Sequence, residues 1–147
     1  LFNNGAYDAY QRYSQNDMKD IVAFAQERGI RVVPEFDIPG HTMSWCVGYP
    51  EICPNKTCNS PDGNNDSPDG ILNPATNMTY DIIEGLFKEA SGIFTDNYQH
   101  IGGDETQLSC WDKTTSIVEW QQENGYNDQQ TLLYFTLRAL GIMKTVG

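Results

Sequence analysis

The sequence predicts an α/β fold in which parallel strands alternate with helices, and three observations support this prediction. Two segments of strand length, 30–37 and 98–102, carry β-branched and apolar residues. A helical pattern precedes the first segment, another separates the two, and two more follow the second. Each segment also ends in polar residues, as strands do at the substrate-binding edge of parallel sheets. Because parallel sheets are covered on both faces and two strands do not complete one, we expect the chain to be part of a larger α/β protein.

The first helix is predicted to begin after Ser14. Ser14 can cap its N-terminus, with Asp17 at the third position of a capping-box pattern. Apolar residues then recur at helical spacing, at Met18, Ile21, Val22 and Ala25. Gly29 predicts the end of this helix, because glycine readily takes the left-handed conformation of a C-terminal cap.

The rest of the chain divides into loops and three further helices. Residues 1–13 have no clear period and predict a loop, and residues 38–75 predict a long irregular segment rich in Pro, Gly, Asn and Asp. Irregular segments of this length are usually functional or disordered. Apolar periods predict helices at about 76–94, 114–124 and 128–145.

The charge of the chain excludes several classes of partner. The 147 residues have a formal net charge of −11, whereas nucleic-acid binding needs a basic face. An anionic membrane surface is disfavoured for the same reason, and no apolar run approaches the roughly 18 residues of a membrane span. We therefore expect neither a nucleic acid nor a membrane as a partner.

Cysteines and glycosylation sequons indicate an oxidising compartment. The four cysteines are Cys46, Cys53, Cys58 and Cys110, and they lack the spacing of a zinc site. Disulfides are the better interpretation, which favours a secreted or lysosomal protein. Three N-x-S/T sequons agree with this compartment, at Asn55, Asn65 and Asn77.

Two adjacent acids follow the second predicted strand. Asp104 and Glu105 come directly after Gly102 and Gly103, which permit a tight turn and a close approach by a ligand. Neighbouring side chains on an extended segment point in different directions. One acid could therefore donate a proton while the other supplies a fixed negative charge. The alternative interpretation is a solvated acidic turn.

Other polar residues lie near the ends of the same two strands. His41 follows Pro39 and Gly40 just past the first strand and is a natural hydrogen-bond partner for a carboxylate. Asp37 ends that strand, where it could bind substrate, and His100 within the second strand is expected to be buried and hydrogen-bonded. A metal site is the competing use of these residues, but their spacing matches no zinc motif, so no metal is expected.

Three blocks of sequence resemble the family 20 glycoside hydrolases, the β-N-acetylhexosaminidases. Residues 28–45 read RGIRVVPEFDIPGHTMSW, and residues 72–80 read LNPATNMTY. Residues 100–105 read HIGGDE and are followed by Cys110 and Trp111. The resemblance covers most of the chain, and the third block is highly specific to this family.

The resemblance implies a fold and a mechanism. The fold would be a (β/α)8 TIM barrel, of which this chain holds the third and fourth strands. The substrate's own 2-acetamido oxygen would attack the anomeric carbon, in place of a protein nucleophile. Glu105 would be the general acid and base, and Asp104 would orient the acetamido group and stabilise the oxazolinium. His41 would belong to the hydrogen-bond network of the acid, and the substrates would be glycans ending in β-linked N-acetylglucosamine or N-acetylgalactosamine.

The resemblance also implies what else to expect of the protein. It implies no cofactor, and a dimer is the expectation for the whole enzyme because the family is often dimeric. Cys110 is expected to pair with Cys53 or Cys58. A barrel needs roughly 250 residues, so residues 1–147 are expected to be an internal fragment, incomplete at both ends and inactive alone. The alternative is a non-catalytic, carbohydrate-binding relative of the family.

Overall fold

The computed structural model describes residues 1–54 and 70–146. Five α-helices lie in these residues: α1 (Gln15–Gln26), α2 (Met43–Gly48), α3 (Asn77–Ser91), α4 (Thr115–Asn124) and α5 (Asp128–Val146). Two 3₁₀-helices accompany them, Pro50–Ile52 and Leu108–Lys113. The four long helices confirm the four helices that were predicted from the helical spacing of apolar residues. None of the helices in the described ranges is long and apolar enough to cross a membrane.

Helix α1 begins and ends as its sequence predicts. The Ser14 hydroxyl accepts a hydrogen bond from the Asp17 N–H at 3.2 Å, and the Asp17 carboxylate accepts one from the Ser14 N–H at 2.7 Å. At the other end Gly29 has φ +69°, and the Ile30 N–H returns to the Ala25 carbonyl oxygen at 3.0 Å. Both caps satisfy backbone groups that the helix itself leaves without a partner.

Neither segment predicted to be a strand, 30–37 or 98–102, forms a regular strand in the described residues, so that part of the prediction is wrong. The two segments pair in parallel over one β-bridge, between Glu35 and His100. The His100 N–H donates to the Pro34 carbonyl oxygen at 2.9 Å, and the Phe36 N–H donates to the His100 carbonyl oxygen at 2.9 Å. The Ile38 N–H adds a third bond, to Ile101. Within the described residues no longer ladder forms, because Pro34 has no N–H to donate and the Gly102 N–H donates to His100 Nδ1 instead of to the first segment. The parallel direction is confirmed, and the barrel stays a prediction.

The main core lies between α3 and α5 and backs the paired segments. Ile83 and Phe87 of α3 and Phe135 and Ala139 of α5 are all 0% exposed. The Phe36 ring contacts the Phe87 ring with 6.0 Å between centroids, which joins the first segment to this core. A second cluster forms beside it from Ile71, Cys110, Trp111 and Ile117.

The segment predicted to be irregular over 38–75 contains α2 and the first 3₁₀-helix, so part of that prediction is wrong. Ile52, which is fully buried, anchors this segment in the main core. The Thr42 N–H donates to the Gly70 carbonyl oxygen at 3.0 Å, and the Asn73 N–H donates to the Ile52 carbonyl oxygen at 2.7 Å. A polar composition hid these short elements, because their order comes from contacts with distant residues.

The disulfide in the described residues joins Cys46 of α2 to Cys53, with 5.6 Å between their Cα atoms. Of the two partners predicted for Cys110, Cys53 is therefore wrong, because Cys46 lies at the usual disulfide distance from Cys53 and is bonded to it. The alternative partner of Cys110, Cys58, lies outside the described residues. The presence of disulfides is confirmed, which agrees with an oxidising compartment.

Of the three sequons, Asn77 falls in the described residues. Asn77 is exposed at the start of α3, and its Oδ1 accepts a hydrogen bond from Arg138 at 2.7 Å. Asn55 and Asn65 lie outside the described residues. Glycosylation at all three positions stays a prediction.

Candidate active site

The first turn of the candidate site follows the first parallel segment and carries His41. His41 has φ +53°, in the left-handed region that few residues other than glycine adopt. Thr42 anchors the turn, because it is fully buried and its hydroxyl donates to the Pro39 carbonyl oxygen at 3.1 Å. His41 itself is exposed.

The second turn follows the second parallel segment and carries both predicted acids. Gly102, Gly103 and Glu105 have φ of +61°, +104° and +54°. The Gly103 N–H donates to Asp37 Oδ1 at 2.8 Å, so the end of the first segment holds the second turn. Gly102 permits this approach, because a Cβ at that position would lie 2.8 Å from Asp37 Cα and would overlap the Asp37 carboxylate.

His41 lies between two carboxylates. Its Nε2 is 3.6 Å from Glu105 Oε2 and 3.9 Å from Asp37 Oδ2. Both distances are longer than a hydrogen bond but short enough for attraction when the imidazole is protonated. The Glu105 side chain is 79% exposed, whereas the Asp37 side chain is 29% exposed.

The structure thus brings together three of the residues singled out in the sequence: Asp37, His41 and Glu105. Asp104, the fourth, shares the second turn with Glu105 and is also exposed. This arrangement offers a carboxyl group that can exchange a proton with a ligand, with a histidine beside it and a second acid next to it in the chain. The catalytic and binding roles of the four residues stay predictions.

One pair of side chains near the second turn was not predicted. His100 Nδ1 lies 2.9 Å from Glu35 Oε1, and the Gly102 N–H donates to the same nitrogen at 3.1 Å. The prediction that His100 is hydrogen-bonded is confirmed, but the prediction that it is buried is wrong, since its side chain is 64% exposed. Glu35 could have been found from the sequence, because it is two residues from Asp37 and alternate residues of a strand share a face.

The opposite end of the paired segments is joined by a bidentate ion pair. Arg31 Nε donates to Asp96 Oδ2 at 2.6 Å, and Arg31 Nη2 donates to Asp96 Oδ1 at 2.8 Å. The hydrogen bond from Arg31 lowers the pKa of the Asp96 carboxyl, and the same bond raises the pKa of Arg31. The two ends of one segment pair therefore differ: Arg31 and Asp96 are neutralised by each other, whereas the other end gathers acids around His41.

No group of three or more His, Cys, Asp or Glu side chains in residues 1–54 and 70–146 is placed to hold a metal ion.

The comparison with protein families shows the class of protein to which this chain belongs. The model of the glycosyl hydrolase family 20 catalytic domain matches residues 1–147. The chain belongs to this family, which confirms the family resemblance of its sequence.

Relatives and solved structures of the same family match nearly the whole chain. "Beta-hexosaminidase 3" of Arabidopsis thaliana is 37% identical over 98% of this chain, and the human "Beta-hexosaminidase subunit beta" is 36% identical over 100% of it. Among solved structures, the chitobiase of Flavobacterium johnsoniae is 34% identical, with a TM-score of 0.79 over 95% of this chain. The exo β-N-acetylglucosaminidase of Vibrio harveyi is 27% identical, with a TM-score of 0.79 over 92%.

These matches cover a minor part of each relative. The chain spans 25% of the length of the Arabidopsis relative and 26% of the human one. It spans 21% of the chitobiase chain.

Proposed function

We propose that the protein containing this chain hydrolyses terminal, non-reducing, β-linked N-acetylhexosamine residues of glycans. Membership of the family supports this proposal, as do the names of its relatives. The single observation in this chain that carries it is the placement of Glu105 Oε2 3.6 Å from His41 Nε2, on a turn shared with Asp104.

The proposed reaction uses the acetamido group of the substrate as its nucleophile. The carbonyl oxygen of that group attacks the anomeric carbon and forms an oxazolinium, while the bond to the leaving oxygen breaks. Glu105 gives its proton to the leaving oxygen and then takes a proton from the incoming water. Two displacements at the anomeric carbon leave its configuration retained. This scheme needs one acid that changes its protonation state and one negative charge that persists.

Asp104 supplies the persistent charge in this proposal. The oxazolinium nitrogen becomes positive as the ring closes, and a carboxylate fixed next to it stabilises that charge most where it develops. Adjacent positions on the second turn allow Glu105 to face the leaving oxygen and Asp104 to face the acetamido group. His41, whose Nε2 lies 3.6 Å from Glu105 Oε2, belongs to the hydrogen-bond network of the acid in this proposal.

We further propose that the two parallel segments are the third and fourth strands of a (β/α)8 barrel, to which residues 1–147 contribute one part. The parallel bridge and the position of both turns at the same end of the pair support this assignment. The Cys46–Cys53 disulfide supports a lysosomal or secreted location. A dimer is proposed for the whole enzyme from the family, and the 147 residues by themselves are proposed to be inactive.

The experiment that tests this function compares Glu105→Gln and Asp104→Asn with the unchanged full-length protein. With an aryl N-acetyl-β-glucosaminide as substrate, we expect kcat to fall about 10²–10⁴-fold for Glu105→Gln, the contribution of a general acid. Asp104→Asn should lose most of its activity on the same substrate. The matching aryl glucoside, which lacks the acetamido group, should be nearly inert with every form.

The matched control is Glu119→Gln on α4, which makes the same chemical change at an exposed glutamate outside the candidate site. It should leave kcat unchanged. Normal turnover by Glu105→Gln would refute the assignment. Saccharide binding by the unchanged protein without any turnover would instead favour the carbohydrate-binding relative.

A further inference from the structure

The two turns of the candidate site are joined by Asp37, and its contacts distinguish it from a residue that is free to bind substrate. Asp37 Oδ1 accepts the Gly103 N–H at 2.8 Å. Its other oxygen, Oδ2, lies 3.9 Å from His41 Nε2. The carboxylate therefore faces the backbone of the acid-bearing turn with one oxygen and the histidine with the other.

The fit around Asp37 is tight on the side of the second turn. A Cβ on Gly102 would overlap the Asp37 carboxylate, so the carboxylate occupies the space that a side chain would need. The preceding amide of the turn, the Gly102 N–H, donates to His100 Nδ1 at 3.1 Å. Two successive amides of the turn are thus each bound by a side chain, and Asp37 binds the one nearer to the acids.

The backbone of this turn is in a conformation that needs such support. Glu105 has φ +54°, which costs an L-residue roughly 1–2 kcal/mol relative to its ordinary conformations. Conformations of this kind persist where the surrounding structure holds them. The carboxyl group of Glu105 is itself 79% exposed, so burial of that side chain does not hold it.

We propose that Asp37 is a positioning residue that fixes the Gly103 amide and, through it, the direction of Glu105 relative to His41. This inference rests on the proposed function, because the reaction it serves is the one proposed for Glu105. It assigns to Asp37 a role different from the substrate binding expected from its place at the end of the strand. The carboxylate acts through the turn and through the histidine, without touching the sugar.

Two substitutions at this position separate the hydrogen bond from the charge. In Asp37→Asn the amide oxygen can still accept the Gly103 N–H, but the negative charge facing His41 is lost. In Asp37→Ala both are lost. We expect kcat of Asp37→Ala to fall about tenfold further than that of Asp37→Asn, with KM of both variants within about threefold of the unchanged protein.

The matched control is Asp96→Asn, which removes a carboxylate charge at the opposite end of the same two segments. It breaks the bidentate pair with Arg31 and so should lower the melting temperature, while kcat and KM stay within about twofold. A loss of kcat in Asp96→Asn equal to that in Asp37→Ala would mean that any loosening of the segment pair is sufficient, which would overturn the proposal.

Hydrogen exchange of the peptide that contains Gly103 supplies a readout that does not depend on turnover. Exchange at this amide should be faster in Asp37→Ala than in the unchanged protein by about tenfold or more, and close to unchanged in Asp37→Asn. If the unchanged protein lacks turnover, the function proposed above fails, yet the exchange rates still decide whether Asp37 holds the turn. Equal exchange in all three forms would overturn the proposal, and so would a large rise in KM with kcat unchanged, since that result would mean substrate binding.

Discussion

The α3–α5 core and the Gly102–Glu105 turn are held in place by different forces. In the core, Ile83, Phe87 and Phe135 are 0% exposed and sit on regular helices, so apolar burial stabilises them. In the turn, Glu105 has φ +54° and a side chain that is 79% exposed, so a few hydrogen bonds stabilise it instead. A substitution in the core should therefore change stability, and one in the turn should change activity.

The largest effect on stability is expected for Phe87→Ala. Phe87 of α3 is fully buried, and its ring contacts the Phe36 ring. Removing a buried phenylalanine costs about 3–5 kcal/mol of unfolding free energy. Denaturant unfolding of the full-length protein measures this loss. At a temperature where the variant stays folded, its kcat should be close to that of the unchanged protein.

The matched control for Phe87→Ala is Leu133→Ala on α5. The Leu133 side chain is 56% exposed, so its removal should cost less than about 1 kcal/mol. A loss of stability below that value for Phe87→Ala would mean that the α3–α5 contact is not the main core.

An intermediate effect is expected where glycine is replaced in the turn. Gly102 and Gly125 have φ of +61° and +68°, so alanine at either position pays the same backbone penalty of about 1–2 kcal/mol. A Cβ on Gly125, at the end of α4, would meet nothing within 4 Å. A Cβ on Gly102 would also displace Asp37, so Gly102→Ala should lose more stability than Gly125→Ala and, unlike it, should also lose activity.

The measurement for this pair is kcat against melting temperature in the full-length protein. A melting temperature that falls in both variants, and further in Gly102→Ala, with a kcat that falls only in Gly102→Ala, would support the separation of the two regions. If Gly125→Ala lost activity to the same extent, the distinction drawn between turn and scaffold would be wrong.

The smallest effect is expected at Asp112, beside the N-terminus of α5. Desolvation and the neighbouring Asp128 raise the pKa of the Asp112 carboxyl above its ordinary value of 3.8. A raised pKa in the folded state means that this group favours folding at pH values below 3.8 and loses that contribution as the pH rises through the raised pKa. Asp112→Asn should therefore stabilise the protein at neutral pH.

The gain from Asp112→Asn should stay below about 1 kcal/mol, because Asp112 is exposed and solvent screens its charge. Thermal unfolding measures this gain in stability at neutral pH and again at a pH below 3.8, the ordinary pKa of an aspartate. The gain should vanish at the lower pH. A gain that is equal at both pH values would rule out repulsion from Asp128 as its cause.

The helices could be predicted from the sequence because their signals are local. The Ser14 and Asp17 cap, Gly29 and the apolar periods each act within a few residues, and the structure places the helices where these signals lie. The pairing of the two strand segments could be predicted in direction but not in extent. Strand length depends on partners from elsewhere in the fold, and a sequence pattern does not report them.

The site could be predicted in its residues but not in its geometry. His41 and Glu105 both have positive φ, and neither residue type signals a left-handed conformation as glycine does. The choice among four cysteines was open for a similar reason, since spacing does not fix connectivity. The bond from Gly103 to Asp37 joins residues 66 positions apart, and only the folded backbone brings them together.

The Cys46–Cys53 disulfide has a consequence for the order in which contacts form while the protein is being synthesised. The two cysteines are seven positions apart, so both leave the ribosome well before Ile83, Phe87 and Phe135, which are later members of the core cluster that contains Ile52. Local contacts form before distant ones during synthesis. In an oxidising compartment the cross-link can therefore close while α3 and α5 are still being translated, and the segment just beyond His41 is tied before the core that supports it exists.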